Sequence, residues 1–97
     1  PWQLHLCAVR PDNEEVRQVA DKLYEEFRNM GIEVIYDDRA VSAGVMFADA
    51  DLLGVPLRVI VSPRNLKAGV VEVASRDKTL KVEIPTGDIL TEIKKYL

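Results

Sequence analysis

Asp37, Asp38 and Arg39 stand side by side, and Met46, Phe47 and Asp49 follow just beyond the small residues Ala43 and Gly44. These residue types suit binding rather than bond cleavage. Carboxylates accept from paired donors, a guanidinium forks onto phosphate or lies over a base, and a phenyl ring offers a stacking face. Guanine presents such a donor pair at its N1 and N2 hydrogens. A plainer reading is equally open: one Asp caps the next turn, its neighbours are solvated, and Phe47 belongs to the core. A simple strand-to-helix connection needs about two to six residues and one capping side chain. Residues 37–56, DDRAVSAGVMFADADLLGVP, carry more chemistry than that. They run from the end of one apolar segment to the start of another, and the ends of sheets are where α/β domains hold ligands.

Catalytic constellations are missing. His5 is the only histidine and has no acid or nucleophile beside it in sequence, so it reads as a satisfied strand residue. No CxxC, HExxH or paired-histidine spacing marks a metal site. Gly44, Gly54, Gly69 and Gly87 are scattered and form neither a P-loop nor GxGxxG, so no nucleotide cradle is expected. The chain is therefore expected to hold no cofactor and to catalyse nothing by itself.

Ninety-seven residues, 47% of them hydrophobic and 30% charged, suit one compact domain spanning 1–97. No apolar run approaches the roughly 20 residues that span a bilayer, and no basic segment precedes an apolar one as in a signal peptide. Membrane attachment is not expected. The opening Pro1, where a complete chain would carry Met, suggests part of a longer protein. Cys7 stands alone within an apolar run, an inert thiol in keeping with a reducing, cytoplasmic compartment. The net charge of −3 speaks against holding DNA or RNA by bulk phosphate neutralisation. It leaves room for reading a few unstacked bases at a local site.

The elements that must position these residues follow from periodicity. QLHLCAV at 3–9 reads as a strand covered on both faces. Asp12 and Glu15 have capping-box spacing, and Val16, Val19, Ala20, Leu23, Phe27 and Met30 recur at helical intervals before Gly31, predicting a helix over 13–30. IEVIY at 32–36 and PLRVIV at 56–61 are further strands. The helix between them, 44–53, would turn Val45, Ala48, Leu52 and Leu53 to one face, and its N-terminus would favour phosphate. Ser62-Pro63-Arg64-Asn65 marks a loop. VVEVA at 70–74 and TLKVEI at 79–84 form a hairpin around Ser75-Arg76-Asp77-Lys78, with Lys81 and Glu83 facing outward on an edge strand. Thr86 can cap a last helix whose stripe is Ile89, Leu90, Ile93 and Leu97. Five strands and three helices make a three-layer α/β/α domain with a mixed sheet.

DDR, a short variable piece, GVMFADADLLGVP and the later TGDI at 86–89 resemble the anticodon-binding domain at the C-terminal end of class II aminoacyl-tRNA synthetases, above all its bacterial prolyl branch. The resemblance runs over nearly the whole chain. It implies strand order 2-1-3-4-5 with strand 4 antiparallel, and an RNA contact through Asp37, Asp38, Arg39, Met46, Phe47 and Asp49. Domains of this kind also bring a basic residue near the end of strand 4 to the anticodon, which here means Arg76 and Lys78. The partner implied is the anticodon stem-loop of proline tRNA, whose UGG anticodon family carries two guanines. A dimeric parent using ATP and Mg²⁺ is implied as well, with its catalytic residues elsewhere. Two features depart from the family. Met46 stands where many relatives have Lys, and Val41-Ser42-Ala43 where they carry a basic residue and Pro; both changes lower local positive charge. Rival expectations are a sister domain of threonyl, histidyl or glycyl type, the same fold serving protein–protein interaction, and a flavodoxin-like ligand module.

Overall fold

The computed structural model describes residues 2–97. Strands β1 (Leu4–Ala8), β2 (Val34–Asp37), β3 (Leu57–Val61), β4 (Val70–Ser75) and β5 (Lys81–Pro85) form one five-stranded sheet in the order β2-β1-β3-β4-β5. β1 pairs in parallel with β2 and β3, while β4 runs antiparallel to both β3 and β5. The mixed sheet and its order are those expected.

Helix α1 (Glu14–Asn29) forms because apolar residues fall on one stripe: Val16, Ala20, Leu23 and Phe27 are all buried. Its cap is Asn13, whose side chain accepts from Val16 N at 3.1 Å, rather than Asp12. Both are capping types, and the difference of one residue is settled by which backbone turns first. Gly31, at φ 82°, leaves the helix in the left-handed conformation that glycine takes without steric cost.

Helix α2 (Ala43–Leu53) starts at Ser42, whose hydroxyl accepts from Val45 N at 3.3 Å, and stops at Gly54, φ 72°. The segment expected to be a loop contains a fourth helix, α3 (Pro63–Lys67), so the count of three is corrected. Ser62 caps it by accepting from Asn65 N, and Pro63 occupies the first helical turn, where its missing N–H costs nothing. Helix α4 (Ile89–Glu92) passes into a 3₁₀ turn, Ile93–Lys95. Its N-cap position is Asp88 without a side-chain bond, not Thr86, and Leu97 lies exposed off the stripe of Ile89 and Ile93.

The layers are unequal. Leu4, Leu6, Ala8, Val59, Val61, Val71, Val73 and Ile84 face α1, Leu66 of α3 and Ile89 and Ile93 in one large core. The opposite face carries a small cluster, Cys7, Met46 and Ile60, with Val9 and Phe47 against it. Only α2 supplies this second layer. That leaves polar residues on the same face of β1, β2 and β3, namely His5, Asp37 and Arg58, close to a single helix.

Candidate nucleic-acid interface

Asp37 is the last residue of β2, paired with Cys7, rather than the first residue of a loop. Strand alternation turns Tyr36 toward α1, where its hydroxyl donates to Asp21 at 2.6 Å, and so turns Asp37 toward α2. There its carboxylate is nearly buried and holds Arg39. Oδ1 accepts from Arg39 N at 3.2 Å and from Nε at 2.9 Å, and Oδ2 accepts from Nη2 at 2.7 Å. The same Nη2 donates to Asp49 Oδ2 at 2.6 Å, tying the loop to the second turn of α2. Arg39 thus lies clamped between two carboxylates, with half of its side chain exposed. The Arg39 bonds pull Asp37 below the usual carboxylate range and, from Asp37 and then Asp49, raise the guanidinium further.

The six residues expected in this segment separate into distinct roles. Asp37, Arg39 and Asp49 form one constellation, and Asp38 is exposed beside it. Met46 is fully buried against Cys7 and Ile60, so the expected RNA contact is corrected to a core role. The assumed inner face of α2 is corrected with it: Met46 and Ala50 point inward, while Val45, Leu52 and Leu53 are exposed. Phe47 is half-buried, and the Arg58 guanidinium lies over one face of its ring, 5.2 Å from the centroid.

Arg76 and Lys78 are exposed but lie at the other end of the sheet. Arg76 N bonds Pro56 O, and Ser75 pairs with Leu57 at the start of β3, whereas Asp37 sits at the end of β2. Arg76 and Asp77 line a separate groove of about 1120 Å³ with Trp2 and Tyr96. The turn has its own organiser: Asp77 Oδ1 accepts from Ser75 Oγ, Thr79 N and Thr79 Oγ1, which lowers its pKa to about 2.

Two further polar residues lie beside this constellation, one unremarked in the sequence and one expected to be merely structural. Arg58, in an otherwise apolar strand, is nearly buried and donates through Nη2 to Asp51 Oδ1. His5 is 1% exposed, and neither ring nitrogen meets a hydrogen-bond partner, so it is not the satisfied strand histidine expected. Its Nε2 lies 3.8 Å from Asp37 Oδ2, beyond hydrogen-bond distance, and the pair is ionic only when the ring is protonated. In both cases the signal was a polar side chain interrupting an apolar run.

Burial holds the His5 imidazole below its ordinary 6.5, against the pull of Asp37 and then Asp49 and with the push of Arg58 and Arg39. The folded domain therefore takes up this proton less readily than the unfolded chain. Stability is intact above about pH 6.5 and falls as pH drops toward the folded value. Asp37 and Asp77 are both held below the ordinary carboxylate value of 3.8 by the hydrogen bonds they accept, so their stabilising contribution is lost only as pH falls below about 3.8. The melting temperature should thus decline between about pH 7 and pH 5, and His5→Leu should flatten that decline. Parallel slopes for the two proteins would place the acid sensitivity elsewhere.

Among the described residues no group of three or more His, Cys, Asp or Glu is placed to hold a metal, and no helix is long and apolar enough to cross a membrane. What the fold brings together is a guanidinium held between two carboxylates at the carboxyl end of parallel strands.

The family model described as "Anticodon binding domain" matches residues 3–96, and the chain belongs to that family. Over 93 residues it is 44% identical to a proline–tRNA ligase of Dehalococcoides mccartyi, covering 96% of this chain and 16% of that protein. Over 97 residues it is 42% identical to a proline–tRNA ligase of a Geobacillus species, covering 100% of this chain and 17% of the other. The chain thus spans about one sixth of these curated relatives. Among solved structures, prolyl-tRNA synthetase from Cryptosporidium parvum complexed with L-proline and AMP superposes with a TM-score of 0.83 at 26% identity, covering 99% of this chain and 20% of that one. Histidyl-tRNA synthetase from a Nostoc species shares the fold, with a TM-score of 0.82 at 23% identity over 99% of this chain and 22% of the other.

Proposed function

We propose that this chain is the anticodon-gripping part of a proline–tRNA ligase, and that Asp37, Arg39 and Asp49 take hold of a guanine in the anticodon loop of proline tRNA. The observation that carries the reading is the Arg39 clamp between two carboxylates at a sheet end, in a chain 44% identical to proline–tRNA ligases. A carboxylate that binds a guanidinium fork is also matched to the N1–H and N2–H fork of guanine. A loop base can therefore exchange with part of the clamp while the exposed half of Arg39 meets its other edge or a phosphate. Asp38, beside the clamp, is free to join it.

The larger protein would be a cytoplasmic homodimer that uses ATP and Mg²⁺ to form prolyl-adenylate and then charges its tRNA. Those groups would be held outside these 97 residues. The domain's part is to fix the anticodon so that the acceptor end reaches the catalytic centre. By itself it should form no prolyl-adenylate.

Filter binding with anticodon stem-loops of proline, threonine and histidine tRNAs tests the reading. The proline loop should bind best, and affinity should fall only gently with salt. Each neutralised phosphate on a single strand adds about −0.7 to the log–log slope, and an acidic domain contacting few phosphates should give roughly −1 to −3. Equal binding of all three loops would oppose prolyl specificity. Absence of binding would favour a protein-contact role, a reading that the net charge of −3 and the remoteness of Arg76 and Lys78 support.

A further inference from the structure

The groove of about 1120 Å³ beside Arg76 opens where β1 and β3 begin and β4 ends, away from the Asp37 clamp. Leu57 and half-buried Leu80 line it. Trp2, Tyr96 and Leu97 line it too, with 51%, 36% and 48% of their surfaces exposed. Trp2 is the single tryptophan of the chain. Apolar patches rimmed by polar groups mark contact surfaces, and Trp, Tyr and Arg dominate the energy of such contacts.

The polar groups around the groove do not converge on a small ligand. Asp77 is engaged by Ser75 and Thr79, Asp51 by Arg58, and the Gln3 side-chain oxygen by Glu33 N. The volume also exceeds the roughly 300–1,000 Å³ of small-molecule sites. Arg76 differs from its neighbours. Its backbone N–H bonds Pro56 O, but among the described residues nothing pairs with its guanidinium.

These features select an occupant. The curated relatives are about six times as long as this chain. Trp2 and Leu97 both lie on the groove, so polypeptide joined at either end leaves from its rim. A second copy would set the patch against itself. Its acids are already engaged, and Arg76 would still lack a partner.

We propose that this groove is a domain-docking surface, covered in the larger ligase by an apolar segment of the adjoining polypeptide whose carboxylate pairs with Arg76. The inference rests on the reading of this chain as one part of such a ligase. Docked in this way, the domain turns its Asp37–Arg39–Asp49 end away from the seam. Arg76 then serves the joint between domains and not the RNA.

The test compares hydroxyl-radical oxidation of side chains, read by mass spectrometry, in this chain alone and in the larger ligase that carries it. Trp2 and Tyr96 should oxidise readily in the chain alone. In the ligase their rates should fall to that of a buried ring such as Phe27, while Leu52 on α2 keeps its reactivity. Arg76→Glu in the ligase should return both rings toward the rates of the chain alone, because like charges then meet. In the chain alone the same variant should melt like wild type, since its guanidinium has no partner to lose. It should also bind the proline stem-loop within about twofold of wild type, because charges more than about 8 Å apart are largely screened. Rings that stay oxidised in the ligase, or protection that survives Arg76→Glu, overturn the proposal. So does protection of the isolated chain that grows with its concentration, which would make a second copy the occupant. Weakened stem-loop binding by the variant would make the groove an RNA surface and overturn it as well. Ring protection and stem-loop binding are separate readouts, so the anticodon reading stands or falls on the second alone. If the reading frame around these residues encodes no ligase, both fall.

Discussion

Phe27→Ala is expected to lower the free energy of unfolding by about 3–5 kcal/mol, the cost of truncating a fully buried aromatic whose site cannot collapse. Phe27 has no exposed surface and sits where α1 meets the large core. The last turn of α1 hangs on the same residue, because Phe27 O accepts from Ile32 N, which leads the chain into β2. Alanine keeps that main-chain bond, so the loss measured would be that of the ring's packing in the large core. Leu52→Ala is the control: at 86% exposure it should change stability by no more than about 0.5 kcal/mol. Urea unfolding followed by circular dichroism measures both. A Phe27→Ala loss below about 1 kcal/mol would mean that the face of α1 is not packed as described.

Arg39→Ala is expected to weaken binding of a guanine-bearing proline stem-loop about ten- to hundredfold, the range of one bidentate contact to a base. The fold should survive, because Arg39 lies on the surface and the core clusters do not include it. The substitution removes the fork that lies between Asp37 and Asp49, and with it the constraint that holds loop 38–42 against α2. Arg39→Lys should recover charge but little affinity, since an ammonium cannot bridge two carboxylates and present a planar edge at once. In the larger ligase the same change should depress aminoacylation of tRNA and leave adenylate formation intact, because the interaction lost belongs to tRNA binding.

What the sequence could and could not reveal follows from how far each feature depends on distant contacts. α1 was legible because its stripe is clean and its neighbours polar. β1 and β3 were legible because they are buried on both faces and so read as nearly continuous apolar runs. α2 resisted, since Val45, Met46, Phe47, Ala48, Ala50, Leu52 and Leu53 surround it and no period selects an inner face. The sheet makes that choice by offering Cys7 and Ile60 to Met46. α3 was hidden because Ser62-Pro63 opens a turn and a helix with the same residues. At the site, the chemical types at Asp37, Arg39 and Asp49 were readable, but their union was not, because it needs α2 folded back over the end of β2. The placement of Arg76 was within reach of the topology alone. An antiparallel β4 delivers its C-terminal turn to the start of β3, away from Asp37. His5 was read as an ordinary strand residue because its acid, Asp37, is a neighbour through the sheet and not along the chain.

The central claim, that the Asp37–Arg39–Asp49 clamp reads a guanine, is tested most directly by a double-mutant cycle across the interface. The affinities of wild type and Arg39→Ala would be measured for the proline stem-loop and for the loop with each anticodon guanine replaced in turn. At one of the two positions, replacing guanine should cost the variant far less than the wild type, because the altered site no longer discriminates, leaving a coupling of about 1 kcal/mol or more. If both replacements cost the two proteins equally, so that every effect simply multiplies, Arg39 does not face the anticodon and the clamp is a structural tie of the loop to α2.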